Sequence, residues 1–282
     1  MKTLVVPTDF SSVSVNALNY AVDMAQAINA GIVLLHVYNV PVSYTDGPIA
    51  PEASTFSIEE LKRTAESRLE EMKINIVKLT AGKIQVFSEA RLGETIDELE
   101  QMCKSLEPLA VIMGSHGTTG LERMIMGSTT LTTIRHLKCP VIVVPPGTTY
   151  QGIRRIGLAC DFENIVQSTP VEYIKNLVKE FGAELYVMNV QDKEQDEEED
   201  LTATHAMDTA YLDAVFEEVK PEYVQLTGKD VVECINSFAE NNRLDMVMVI
   251  PKKHRFIDKL FHKSKSRELI THAHIPIVSI HE

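Results

Sequence analysis

"CPVIVVPP", residues Cys139–Pro146, sets the continuous run Val141-Ile142-Val143-Val144 between prolines. A short, β-branched, uninterrupted apolar run of this kind reads as a strand buried on both faces. The stretch recurs. Cys139-Pro140-Val141-Ile142 aligns with Ile275-Pro276-Ile277-Val278 at an offset of 136, and the alignment holds without a gap back to Ile112, which meets Met248. Further upstream, Thr8-Asp9-Phe10 meets Cys160-Asp161-Phe162 at an offset of 152. His36-Val37 meets Asn189-Val190, and Gly93 meets Gly228. The second copy is thus 16 residues shorter in its middle, the difference between the two offsets. Landmarks in matching order argue duplication. The turn-rich Pro145–Gly152 separates a first domain, 1–146, from a second, 153–282.

Working outward from this strand, apolar runs occur at Thr3–Pro7, Ile32–Val37 and Leu109–Met113. Lys83–Phe87 alternates more, as an edge strand does. Helical patterns lie between them. One has Ile58, Leu61, Ala65, Leu69, Met72, Ile76 and Leu79 on one stripe, with Ser57 and Glu60 as a capping box at its start. A second follows Gly93-Glu94, with Ile96, Leu99 and Cys103 inward, and a third runs from Ser128 to Leu137. Strand and helix alternate, so the expected fold class is α/β: two tandem, doubly wound, Rossmann-like domains, each a five-stranded parallel sheet of order 3-2-1-4-5. The last strands, within Pro140–Pro145 and Pro276–Ile280, would otherwise leave apolar edges exposed, so they are expected to pair antiparallel.

Composition narrows the function classes. The chain has 282 residues and a formal net charge of −13, which disfavours nucleic acid and anionic membrane surfaces as partners. No apolar run is long enough to span a bilayer. The opening MKTLVVPTDF reads as a first strand rather than a signal peptide, so the expected address is the cytoplasm. Cys103, Cys139, Cys160 and Cys234 show neither C-x-x-C nor metal-ligand spacing and read as small buried hydrophobes in a reducing compartment. The acidic run Gln191–Asp200 reads as a solvated loop.

The segment Met113–Thr130, MGSHGTTGLERMIMGSTT, carries Gly114, Gly117, Gly120 and Gly127, then Ser128. In a 3-2-1-4-5 sheet the strand order reverses between the first and fourth strands, and ligands sit beyond the carboxyl ends there. The first strand ends near Asp9 and the fourth at Met113-Gly114. Glycines let a loop turn backbone N–H groups toward an anion, and Gly127-Ser128 opens a helix whose N-terminus favours negative charge. The same glycines also suit tight turns and a close helix contact. The spacing is neither a P-loop, since no Lys follows, nor G-x-G-x-x-G.

Gly114-x2-Gly117-x9-Gly127-Ser128, with Val6-Pro7-Thr8-Asp9-Phe10-Ser11, Leu34-Leu35-His36-Val37 and the Pro140–Val144 strand, closely resembles the universal stress protein family, over the whole chain as a tandem pair. The resemblance implies an adenine nucleotide alpha hydrolase-like fold, domain pairing through last strands, and roles in stress responses mostly without defined catalysis. One branch binds ATP. Carried over by position, Pro7, Thr8 and Asp9 would lie at the adenosine side. Val37 would meet adenine through its backbone with Met113 nearby, and Gly114, Gly117, Gly127, Ser128 and Thr129 would hold ribose and phosphates. Asp9 also suits a helix cap or turn.

The second copy departs from this pattern. Ile250, Lys253 and Lys263 replace Gly114, Gly117 and Gly127, Pro251 follows Ile250, and Ser264 still matches Ser128. The basic residues from Lys252 to Lys265 read as a solvated helix face, and His272 and His274 lack a third metal ligand. The expectation is one adenine nucleotide, ATP with or without Mg²⁺, bound in the first domain and acting by occupancy rather than turnover. A slow ATPase or an adenylate-forming relative, with Arg123 and His116 in the loop as candidate phosphate contacts, and a pure interaction module are the alternatives; a further homodimer is left open.

Overall fold

The computed structural model describes residues 2–40, 51–115, 127–160, 169–191, 211–250 and 274–281. In chain order the elements of the first half are β1 (Thr3–Pro7), α1 (Ser12–Ile28), β2 (Gly31–Tyr38), α2 (Pro51–Leu79), β3 (Val86–Leu92), α3 (Thr95–Leu106), β4 (Ala110–Gly114), α4 (Ser128–His136) and β5 (Val141–Val144). The second half contributes β6 (Arg155–Ala159), α5 (Val171–Phe181), β7 (Glu184–Gln191), β8 (Glu222–Thr227), α6 (Val231–Asn241), β9 (Met246–Val249) and β10 (Ile277–Ser279).

Among the described residues ten strands form one sheet, in the order β3-β2-β1-β4-β5-β10-β9-β6-β7-β8. Each half therefore has the 3-2-1-4-5 arrangement. Its strands run parallel, and only β5 and β10 pair antiparallel. The register confirms the sequence repeat. Leu4 pairs with Ala110 and Ile156 with Met246; Val111 pairs with Val141 and Val247 with Ile277. At the seam, Ile142 faces Val278, its own equivalent at the offset of 136, flanked by Val143–Ile277 and Val141–Ser279. The two halves are thus related by a pseudo-two-fold axis through this pair, as in an isologous dimer interface.

Alternate side chains build two cores, one on each face of the sheet. One packs Leu4, Ile112 and Ile142 with Ile156, Met248 and Val278 under α1, α2 and α5. The other packs Val5, Val111 and Val143 with Val247 and Ile277 under α3, α4 and α6. Equivalent residues share a core, so the axis is perpendicular to the sheet and both cores run across the seam. Tyr173 of α5 donates its hydroxyl to the Leu109 carbonyl, and Lys2 pairs with Glu180, adding polar ties between the halves. No helix among the described residues is long and apolar enough to cross a membrane.

Three local expectations change. Helix α2 begins at Pro51, so Ser57 lies inside it and the Ser57–Glu60 pair is not its start. Its inward stripe is Ala65, Leu69 and Ile76; Leu61 and Leu79 are exposed, because the helix reaches past the sheet it covers. The third strand spans Val86–Leu92 rather than Lys83–Phe87, pairing along β2 from Ile32 to Tyr38. Its polar residues hid it: Arg91 bonds Glu89 and Glu98, which satisfies charges on an edge strand.

Gly114 answers part of the glycine question. A Cβ there would stand 2.5 Å from Val13 Cγ1 and 3.0 Å from the Val13 carbonyl oxygen of α1. The glycine lets helix and strand close up beside the end of β4. Gly114→Ala should cost about 1–3 kcal/mol in urea denaturation, with Val13→Ala restoring part of it. An unchanged midpoint would refute the contact. Ser279 gives the opposite sign: its buried hydroxyl lacks a partner among the described residues, where the first half has Val143. Ser279→Val should raise stability by about 1 kcal/mol by removing that desolvation cost.

Candidate functional site

The crevice lies where β1 and β4 end side by side and the strand order reverses. Pro7, Val37 and Met113 follow Val5, Leu35 and Val111 by two residues, so all three are on the face covered by α3 and α4. They form an apolar floor in which Met113 is buried and Val37 and Pro7 are half-buried.

β2 outlasts β1. The Pro7–Leu35 pair is the last of their ladder, and the Thr8 N–H then donates to the Leu35 carbonyl at 2.8 Å. In a strand the N–H and C=O of one residue point to the same side, and the side alternates along the chain. Leu35 turns toward β1, and so does Val37, two residues on. There β1 has ended, so the Val37 backbone faces the crevice with one donor and one acceptor.

The turn after β1 is held from several directions. Thr8 is buried and its hydroxyl accepts from the Phe10 N–H at 3.0 Å and bonds the Ser14 hydroxyl at 3.0 Å. Asp9 is exposed, and its carboxylate accepts from the Ser11 N–H, while Ser11 caps α1 through the Ser14 N–H. His36 Nδ1 lies 2.7 Å from the Thr8 carbonyl, and its ring lies tilted against that of Phe10 with centroids 4.4 Å apart, the Arg68 guanidinium being 4.0 Å from the centre of the Phe10 ring. Phe10 is thereby kept at φ +64°, a left-handed conformation uncommon outside glycine.

On the other side, the chain leaves β4 through buried Ser115 and re-enters at Gly127, whose N–H donates to the Ser115 carbonyl at 2.9 Å. Thr130 donates its hydroxyl to the Gly114 carbonyl at 3.0 Å. These two bonds close the base of the glycine-rich loop. Gly127 is the N-cap of α4, and Ser128 and Thr129 are exposed in its first turn. The first N–H groups of a helix lack intrahelical partners, so this end offers backbone donors, two hydroxyls and a positive dipole end.

Pro7, Thr8, Asp9, Val37, Met113 and Gly114 thus lie at or near the carboxyl ends of β1, β2 and β4, and Gly127, Ser128 and Thr129 lie at the start of α4, which the Gly127 and Thr130 bonds hold to the end of β4. Gly117 lies outside the described residues, as do His116, Arg123, Pro251, Lys253, Lys263, Ser264, the surrounding basic residues and His272. Sequence reasoning assigned no role to Thr130, Arg68, Phe10 or His36, although Phe10 and His36 stand in the stretches that carry the family resemblance. A lone histidine in the apolar run Leu34-Leu35-His36-Val37 was the available signal.

The second half keeps some of this geometry. The Cys160 N–H donates to the Met188 carbonyl at 2.9 Å, as Thr8 does to Leu35, and Asn189 Nδ2 donates to the Cys160 carbonyl where His36 meets Thr8. At the end of β9, Ile250 replaces Gly114 and packs on the core. Among the described residues no group of three His, Cys, Asp or Glu is placed to hold a metal ion.

Comparison with known proteins gives the same picture. The sequence model of the Universal stress protein family matches residues 1–145 and again 152–281. The universal stress protein MJ0531 of Methanocaldococcus jannaschii is 29% identical over 143 residues, covering 51% of this chain and 81% of its own. A universal stress protein from Archaeoglobus fulgidus superposes with a TM-score of 0.73 at 20% identity, covering 99% of this chain and 98% of that one. The protein PA1789 from Pseudomonas aeruginosa reaches 0.61 at 10% identity, over 100% and 92% of the two chains. At such identities the structural likeness speaks for the fold alone.

The loop-base bonds make a direct prediction. Thr130→Val keeps the side-chain shape but leaves the Gly114 carbonyl without its donor, and should cost about 1–3 kcal/mol in denaturant unfolding. An unchanged stability would mean that this bond does not hold the loop base.

Proposed function

The chain belongs to the universal stress protein family in both of its halves, and we propose that its first half binds one adenine nucleotide, ATP with Mg²⁺, and acts by occupancy. The observation that carries this reading is the bond from the Gly127 N–H to the Ser115 carbonyl, which holds the N-terminus of α4 at the end of β4, where β4 neighbours β1 and the strand order reverses. An apolar slot with a free backbone edge suits a flat heteroaromatic ring. The Val37 N–H and C=O would bond the adenine edge, and Met113 would lie against the ring. The exposed hydroxyls of Ser128 and Thr129 and the first N–H groups of α4 would take the phosphates, with Gly117 and Gly127 permitting close approach. Asp9, exposed at the rim, would reach the ribose.

The fit extends to the cation in a limited way. Mg²⁺ retains several waters and enters with phosphate oxygens rather than in an all-protein cage, so it needs only the nucleotide and one or two oxygen donors. Occupancy rather than turnover is favoured by the donor set: Gly127, Ser128 and Thr129 bind and orient phosphates, and none of them is a base for water.

Only the first half is assigned a nucleotide. The second keeps the backbone edge at the end of β7, but a side chain at Ile250 and the loss of an N–H at Pro251 remove the cradle.

Titration calorimetry of the full chain with ATP and Mg²⁺ should saturate near one nucleotide per chain. Gly127 has φ −59° and ψ 143°, a backbone that any residue adopts. Gly127→Val should therefore weaken binding at least tenfold while stability stays within about 1 kcal/mol. Two equal sites per chain, or full affinity in Gly127→Val, would contradict the assignment. Phosphate release well above that of Gly127→Val would replace occupancy with slow ATP hydrolysis.

A further inference from the structure

The fold brings together two thiols that are 36 residues apart in sequence. Cys103 lies in the last turns of α3, one residue after buried Met102. Cys139 lies in the turn that leads from α4 into β5. Their Sγ atoms are 2.7 Å apart and share a hydrogen bond. Carbon atoms in van der Waals contact settle at about 3.5–4.0 Å, sulfur is larger than carbon, and a disulfide spans about 2.03–2.05 Å. The pair already stands well inside ordinary non-bonded contact. Both residues are half-buried rather than enclosed in the core.

The surroundings fix Cys139 firmly. The next residue, Pro140, accepts the Val111 N–H through its carbonyl at 2.8 Å, which ties the turn to the β4–β5 ladder. β5 is the seam strand, so the thiol pair sits at the entry to the strand that joins the two halves.

We propose that Cys103 and Cys139 form a reversible oxidation site, at which a hydroperoxide converts the two thiols into a disulfide tying α3 to the entry of β5. The hydrogen bond shared with Cys139 holds the Cys103 thiol below the ordinary range, against burial and the nearby Glu100 carboxylate. The same bond, together with burial, pushes Cys139 up, which favours attack by Cys103 and resolution by Cys139; the reverse order gives the same disulfide.

In the first step the Cys103 sulfur attacks the peroxide O–O bond. One oxygen stays on sulfur as the sulfenic acid, and the other leaves as hydroxide or alkoxide and takes up a proton. In the second step the Cys139 sulfur attacks the sulfenic sulfur, and hydroxide leaves with the Cys139 proton as water. Two electrons pass from the sulfur pair to the peroxide, and a dithiol reverses the bond. A bond of this kind suits a reducing compartment, where disulfides are transient and redox-sensing.

The test is hydrogen peroxide added to the full-length protein, followed by thiol blocking, intact mass measurement and non-reducing peptide mapping. The expected result is a loss of two hydrogens and one linked peptide pair containing Cys103 and Cys139, reversed by dithiothreitol. Cys139→Ser should leave a dimedone-reactive sulfenic acid on Cys103, with a circular dichroism melt close to that of the parent. Recovery of both cysteines as blocked free thiols after peroxide treatment would overturn the proposal. So would a link confined to Cys160 or Cys234. Both readouts come from the unsubstituted protein and do not depend on nucleotide binding.

Discussion

The pairing of β5 with β10 is the constraint on which the rest of the molecule depends. Each half ends in a short apolar strand, and each strand alone would present a row of unpaired N–H and C=O groups. Antiparallel pairing satisfies both rows at once and merges two five-stranded sheets into one. Because Ile142 faces its own equivalent, the duplicated sequence uses one self-complementary strand twice. The cores on both faces run through the seam, so the halves share buried apolar surface as well as backbone bonds. The same geometry sends the carboxyl ends of the two strand sets to opposite edges of the sheet, so the two crevices lie far from shared use of one ligand.

Duplication also makes the molecule its own control. The strands, their register and the backbone bond of the residue after the first strand are kept in both halves, down to a polar side chain on the second strand that reaches the carbonyl of residue 8 or 160. What differs is the end of the fourth strand. In the first half, Gly114 allows α1 within 2.5 Å of where a Cβ would be, and Thr130 and Gly127 knit the loop base to β4. In the second, Ile250 fills the place of that glycine. The sheet therefore tolerates either residue at the end of the fourth strand, and the close approach of α1 to β4 in the first half is what requires glycine there.

Much of this was legible in the sequence because the strands are buried on both faces and so read as continuous Val and Ile runs. The repeat offsets located the strand pairs and the seam. The edge strand was less legible, since Ser88, Glu89 and Arg91 interrupt its pattern, and Glu89 and Arg91 are satisfied by ion pairs rather than burial. The start of α2 was obscured by a helix longer than the surface it covers. For Gly114 the sequence offered two explanations, and the contact with Val13 supports the packing one at that position without touching the case for Gly127. The Cys103–Cys139 approach depends on how α3 packs beside the turn before β5, a long-range relation that residue spacing cannot express.

The account's central claim is that nucleotide recognition is confined to the crevice of the first half. Hydrogen–deuterium exchange of the full chain, with and without ATP and Mg²⁺, tests it most directly. The account predicts slowed exchange in residues 7–11, around Val37 and across 113–131, with no change at 249–265. Slowed exchange at 249–265, or an unchanged profile across 113–131 at saturating nucleotide, would contradict it.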